Sequence, residues 1–349
     1  MTLFPRGRSQ RAAQAARLFV PALGLLLATA CAAGGGEPLP RLNIEQGRVA
    51  FAGLSSGAYM AAQSHLVLAD RVDGVALVAG GPPGCAEGKL ETALGPCIAA
   101  QPQAPDVQAL LARARERAGD GRAAPLSALA GDRVLVMHGT EDATVNPAVG
   151  AAARDFYAAL VDEGIALELT WDGERRFGHV WPTVAEGGDC LAGASPWLGA
   201  CGFDAAGEVM RRMFGPVEGE PGEPRGELRR FGQAGLAAGG SDPLLADEGF
   251  LYLPPECAAG EACGLLVAFH GCQQDIGSVG DAFARGSGLN AWADLHRVAV
   301  LYPQTRSSYL PLNPKACWDW WGYTGEDYDT RTGAQLRWLT AALDALGAP

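Results

Sequence analysis

The sequence predicts an α/β fold, a mostly parallel sheet with helices on both faces. Three observations carry that reading. Short continuous apolar runs, such as Val75 to Ala79 and Arg133 to Met137, have the character of strands buried on both sides. They alternate with segments rich in helix formers: Ala58 to Leu68, Val107 to Ala118 and Ala148 to Asp162. One junction, Val49-Ala50-Phe51-Ala52 followed at once by Gly53-Leu54-Ser55-Ser56-Gly57, reads as strand, sharp turn and helix.

The chain starts outside that fold. Arg6, Arg8, Arg11 and Arg17 precede an apolar run, Leu18 to Leu27, which ends in Ala28-Thr29-Ala30-Cys31. A basic start, a short apolar stretch and a small-residue end predict a signal peptide over 1–30. The run is too short to span a bilayer. Cys31 stands where a bacterial lipobox places its lipidated cysteine, though Ala28 replaces the usual Leu. Gly34 to Gly36 make 31–40 a short flexible tether. The expectation is export, extracellular or periplasmic, with lipid attachment at Cys31 and free secretion both open.

Residues 41–349 then read as a single domain. After the elements named above come a strand at Ala166 to Trp171 and an irregular stretch over 215–249, rich in Gly, Pro, Glu and Arg, with Glu227 to Gln233 as an edge strand inside it. Strands follow at Phe250 to Leu253, Leu265 to Phe269 and Val298 to Tyr302. Leu336, Leu339, Leu343 and Leu346 recur at three- and four-residue steps in a closing helix. Setting Cys31 aside leaves Cys85, Cys97, Cys190, Cys201, Cys257, Cys263, Cys272 and Cys317, an even set that favours disulfides in an exported chain. Pairing sequence neighbours would leave Cys272 with Cys317, but spacing does not settle the connectivity. No C-x-x-C spacing and no histidine cluster suggest a metal site, and no cofactor is expected. A net charge of −12 argues against nucleic acid as a partner and is compatible with a neutral substrate.

Ester hydrolysis needs a nucleophile, a base, a group that orients the base and donors for the oxyanion. Ser55 is the candidate nucleophile, lifted above the sheet by a turn that Gly53 and Gly57 permit. Asp142 is the candidate acid, because it follows a buried strand and so lies at the carboxyl edge of the sheet. Asp132 precedes that strand and sits at the wrong end; Asp172 is the rival. His179, in Phe177-Gly178-His179-Val180-Trp181-Pro182, follows the next strand and is the candidate base. His65, His138, His270 and His296 have structural readings. The oxyanion donors should be the Ser56 N–H and one from the loop Phe269-His270-Gly271-Cys272. That loop lies after the other three groups, whereas such a loop usually precedes the nucleophile. If the order of elements begins near Glu227, the usual α/β-hydrolase order returns. The sequence therefore reads as a circularly permuted, disulfide-stabilised α/β-hydrolase.

The motifs Gly53-Leu54-Ser55-Ser56-Gly57, His138-Gly139-Thr140-Glu141-Asp142, Gly178-His179-Val180-Trp181-Pro182, His270-Gly271-Cys272-Gln273-Gln274 and Cys317-Trp318-Asp319-Trp320-Trp321 together resemble the poly(3-hydroxybutyrate) depolymerases, in their circularly permuted single-domain type. The resemblance implies Ser55, Asp142 and His179 as triad, Ser56 and Cys272 N–H groups as oxyanion hole, and a Cys272–Cys317 disulfide. It implies a neutral polyester or oligoester as substrate. Trp181, Trp318, Trp320, Trp321 and Tyr323 are candidates to line the crevice, with some of the tryptophans expected in the core. A feruloyl or acetyl esterase of carbohydrate and an inactive surface-binding protein are the competing readings.

Overall fold

The computed structural model of the chain describes residues 36–236 and 240–349. The expected signal peptide, Cys31 and the first half of the tether lie outside the described residues. The first half of the domain runs β1 (Ile44–Leu54), α1 (Ser56–Val67), β2 (Gly74–Val78), α2 (Leu90–Leu94), α3 (Val107–Gly119), β3 (Arg133–Met137), α4 (Pro147–Asp162) and β4 (Glu168–Asp172). Three short strands, β5 (Trp181–Thr183), β6 (Gly188–Asp189) and β7 (Leu198–Ala200), lead to α5 (Ala205–Phe214). The second half runs β8 (Glu227–Gly232), β9 (Glu248–Leu253), α6 (Pro255–Ala258), β10 (Cys263–Phe269), α7 (Ile276–Val279), α8 (Ala282–Gly286), α9 (Leu289–His296), β11 (Val298–Tyr302), the hairpin β12 (Ser308–Tyr309) and β13 (Leu312–Asn313), and α10 (Ala334–Leu346).

Eight strands form one sheet in the order β4-β3-β2-β1-β10-β11-β9-β8. Neighbours from β4 to β11 are parallel; β9 is antiparallel to both β11 and β8. A chain starting at β8 would run β8, β9, β10, β11 and then β1 to β4, and only β10 and β11 change places in the sheet. That is the hydrolase order, entered part-way through. The two ends that a permutation joins lie side by side: the Leu42 N–H donates to the Leu346 carbonyl at 2.9 Å, and Arg71 donates to the carbonyls of Ala348 and Pro349. Residues 215–226, which connect α5 to β8 across the old junction, carry neither helix nor strand.

Side chains alternate across each central strand, as the two-residue period of a strand demands. Val49, Phe51, Val75, Leu77, Val134 and Val136 face the core shared with α1, α3, α4 and α10. Ala50, Ala52, Ala76, Val78, Leu135 and Met137 face the core shared with α5, α8 and α9. Burying each large aliphatic side chain is worth about 1.5–3 kcal/mol. Every residue of α1 is buried, because this helix lies on the centre of the sheet.

At the amino edge of the sheet lies a second histidine–aspartate pair. His65 Nε2 donates to Asp132 at 2.9 Å, and the other ring nitrogen meets the Tyr157 hydroxyl at 3.1 Å. All three side chains are buried. Asp132 thus stands at the end opposite Ser55, where the sequence places it, and binds a different histidine. Removing the carboxylate strands a buried imidazole donor. Asp132→Ala should lower the unfolding free energy by about 2 kcal/mol in urea titrations; unchanged stability would mean that the pair contributes nothing.

Candidate active site

Ser55 sits between β1 and α1 with φ 57° and ψ −120°. That backbone is costly for a residue with a Cβ and is held by its surroundings. The Ser55 N–H donates to the Val78 carbonyl at 2.9 Å, and the Ser55 carbonyl accepts from Ala58 and Tyr59. The two motif glycines are required by contact. A Cβ on Gly53 would stand 2.2 Å from the Gly57 backbone, and one on Gly57 would stand 2.2 Å from the Phe269 carbonyl oxygen. The turn is therefore clamped against the end of β10.

Asp142 and His179 meet as expected. His179 Nδ1 lies 2.8 Å from Asp142 Oδ2. The other carboxylate oxygen accepts the Thr144 and Val145 N–H groups, each at 2.9 Å. His138 Nε2 approaches the same carboxylate at 3.4 Å. Burial pushes the Asp142 carboxyl up, but the His138 and His179 contacts overcome that and hold it well below the usual carboxylate range. It stays ionised, and it fixes the proton on His179 Nδ1, which leaves Nε2 as the basic nitrogen. Asp172, the rival acid, instead pairs with Arg175 at 3.0 Å. A Cβ on Gly139 would sit 1.9 Å from the Phe177 carbonyl oxygen, so the acid loop and the base loop also touch backbone to backbone.

Neither expected oxyanion donor has an acceptor among the described residues. Ser56 N is the first residue of α1 and has no intrahelical acceptor. In the 271–274 loop, Gly271 N–H donates to Gln274 Oε1 at 2.8 Å and Gln273 N–H to the Lys315 carbonyl at 2.7 Å. Between them the Cys272 N–H has no acceptor among the described residues. The loop is braced on every side. Cys272 is bonded to Cys317. His270, neutral because burial lowers its pKa, accepts the Thr305 N–H at 3.2 Å. Gln274 reaches over to donate to the Pro196 carbonyl at 2.9 Å, on the loop beside His179.

Ser55, Ser56, His179 and Cys272 open on one cleft of about 310 Å³. Its walls are mainly apolar: Tyr59, Ile98, Val145, Trp197, Trp320 and Trp321 are among them. Tyr59 stacks on Trp320 at 4.2 Å, and its hydroxyl bonds the Cys97 carbonyl. Leu90, Leu94 and Leu312 line the rim and are exposed. Among the described residues no group of three His, Cys, Asp or Glu side chains is placed to hold a metal ion.

The aromatic candidates divide. Trp320 and Trp321 line the cleft. Trp181 does not: it lies on β5, its ring packs edge-on against Phe283 at 5.6 Å, and its N–H donates to the Ser287 carbonyl at 2.9 Å. Trp318 is also core, wedged against Phe269 at 5.0 Å beneath the oxyanion loop. Tyr323 stands behind the wall. Its ring meets Trp321 at 4.9 Å and its hydroxyl donates to the Cys317 carbonyl at 2.8 Å. Sequence reasoning missed Tyr59 and Trp197. Tyr59 was within reach, since it follows Ser55 by one helical turn and so shares its face. Trp197 carries no such signal; its place depends on the fold of the loop before β7.

Comparison with known proteins decides the family. The chain is 31% identical over 327 residues to the polyhydroxybutyrate depolymerase of Talaromyces funiculosus, covering 89% of this chain and 93% of that protein. This chain belongs to the poly(3-hydroxybutyrate) depolymerase family. It is 32% identical over 315 residues to the poly(3-hydroxybutyrate) depolymerase of Delftia acidovorans, covering 89% of this chain but only 62% of that longer protein. The family model for esterase PHB depolymerase matches residues 248–342. That stretch holds the oxyanion loop and the tryptophan segment but not Ser55, Asp142 or His179. The crystal structure of the Penicillium funiculosum PHB depolymerase superposes with a TM-score of 0.78 at 28% identity, over 89% of this chain and 99% of that one. A variant PHB depolymerase complexed with an R3HB trimer superposes with a TM-score of 0.77.

Gln274 ties the oxyanion loop to the loop beside His179. Oxyanion donors act on the transition state and little on the ground state. Gln274→Leu should therefore lower kcat on a soluble ester about tenfold with KM nearly constant. Steady-state kinetics on 4-nitrophenyl butyrate reads this; a raised KM at constant kcat would place the bridge in substrate binding instead.

Proposed function

We propose that this chain is an exported serine esterase that hydrolyses poly(3-hydroxybutyrate) or its oligomers through an acyl-enzyme intermediate. One observation carries the reading: a buried, oriented His179–Asp142 pair opens on the same apolar cleft as Ser55 and the N–H groups of Ser56 and Cys272, which have no acceptor among the described residues. Ser55 Oγ attacks the ester carbonyl as His179 Nε2 takes its proton. The developing oxyanion turns to the Ser56 and Cys272 N–H groups, each such donor being worth about 10²–10³ in kcat. His179 returns the proton to the leaving alcohol, and water repeats the steps to free the acid. Asp142 keeps the imidazole in place and balances its transient charge.

An apolar, tryptophan-walled cleft suits a neutral polyester better than a carbohydrate bristling with hydroxyls. The relatives' names and the trimer complex of the solved homologue point the same way. Export is supported by four disulfides, Cys85–Cys97, Cys190–Cys201, Cys257–Cys263 and Cys272–Cys317. A lipidated Cys31 would attach the chain to a membrane.

The test is product analysis with amorphous polyhydroxybutyrate, defined 3-hydroxybutyrate oligomers, and feruloyl and acetyl esters. The expectation is release of short hydroxybutyrates, and loss of more than about 10⁴-fold of that rate in a folded Ser55→Ala protein. Undiminished turnover by that variant would remove Ser55 from the role. Turnover confined to feruloyl or acetyl esters would move the substrate to carbohydrate.

A further inference from the structure

Among the described residues lining the cleft, Lys315 is the only lysine, arginine, aspartate or glutamate. It is exposed, and among the described residues its ammonium makes no ion pair. The whole chain carries a net charge of −12, so the lone charge on the cleft wall runs against the molecule's own sign. The backbone that carries it is held in place. The Lys315 carbonyl accepts the Gln273 N–H at 2.7 Å, and two residues further on Cys317 is bonded to Cys272. Gln273 lines the same cleft and is exposed, held at φ 58° in the left-handed region. Its side-chain amide has no hydrogen-bond partner within the described protein. Lys315 and Gln273 thus line the cleft on two segments joined backbone to backbone, and Gln273 is the residue after the Cys272 oxyanion donor.

We propose that Lys315, with Gln273, forms a subsite for the ionised carboxyl end of a hydroxyalkanoate oligomer. The inference rests on the polyester-hydrolase reading and deepens it. A hydroxy-acid oligomer carries a hydroxyl at one end, neutral esters along its length and a single carboxylate at the other end, ionised above about pH 5. A neutral polyester segment gives an ammonium nothing to pair with; the carboxylate does. The carboxylate always lies on the alkoxy side of the ester being cleaved. Held by Lys315, it places the leaving-group side of the chain. When Ser55 Oγ bonds the acyl carbon and the ester C–O bond breaks, His179 gives its proton to the departing alkoxide. The carboxyl-end fragment leaves first, and the hydroxyl-end fragment stays on Ser55. Cleavage is then counted from the acid end, and soluble oligomers gain an anchor that the interior of a long polymer chain lacks.

The experiment compares 3-hydroxybutyrate trimer as free acid with its carboxyl methyl ester, in the wild-type full chain and in Lys315→Met and Lys315→Glu, at low and high salt. Wild type should show a KM about threefold to fivefold lower for the acid, the range of an exposed ion pair, and that ratio should shrink in 0.5 M NaCl. Lys315→Met should bring the ratio to about one, and Lys315→Glu should invert it. The acid should also give one dominant first product, where the methyl ester gives a mixture. Equal KM for acid and methyl ester in wild type overturns the subsite while leaving the hydrolase intact. A ratio that survives in Lys315→Met overturns it too. No turnover of either compound by wild type overturns the polyester reading itself.

Discussion

The structure hangs on one close approach, between the turn at Ser55 and the carboxyl end of β10. A side chain at Gly57 would collide with the Phe269 and His270 carbonyl oxygens, at 2.2 and 2.5 Å. Because the two backbones touch there, the nucleophile on one strand and the oxyanion loop on the next are set by a single contact. No flexible side chain intervenes to absorb error. Within the same turn Ser55 keeps a positive φ, a strained backbone for a residue with a Cβ. The same logic recurs at Gly139 against Phe177, which joins the loop of the acid to the loop of the base. Two backbone-to-backbone contacts therefore register the four parts of the site before any catalytic side chain is considered.

Around that rigid centre the disulfides act locally. Cys85–Cys97 holds the carbonyl on which Tyr59 rests, and Tyr59 carries the Trp320 stack. Cys190–Cys201 holds the carbonyl that receives the Gly178 N–H, next to His179. Cys272–Cys317 joins the oxyanion loop to the tryptophan segment. That segment is itself folded about Asp319, whose carboxylate accepts the N–H groups of Gly322, Tyr323 and Thr324. Three crosslinks thus surround the cleft, where loops rather than sheet do the positioning.

Much of this was legible from residues alone, for reasons that are specific. Continuous apolar runs betray strands buried on both faces, and the strand–glycine–serine–helix junction has one local solution. The permutation was legible because order along the chain is the one thing a sequence states without ambiguity. Asp132 could be set aside because it precedes its strand. Aromatic residues resisted such reasoning. Trp181 and Trp318 are as apolar as Trp320 and Trp321, and only three-dimensional packing decides which ring meets the cleft and which the core. Trp197 reaches the cleft from a loop with no periodicity to read. Lys315 needed the cleft to be drawn before its solitude meant anything.

The permuted order has a consequence for how the molecule comes to be. In the usual arrangement a chain meets its central strands in the middle of synthesis. Here β1, a central strand, is the first strand of the domain; β2 pairs with one side of it almost at once, but on the other side Val49 meets its partner only at Leu265. Most of the chain must exist before the centre of the sheet can close. Pairing across so long a separation carries a heavy loop-closure entropy and slows folding. During that wait one edge of β1, apolar from Val49 to Leu54, lies unpaired, so the species most exposed to aggregation is the incomplete chain rather than the finished enzyme.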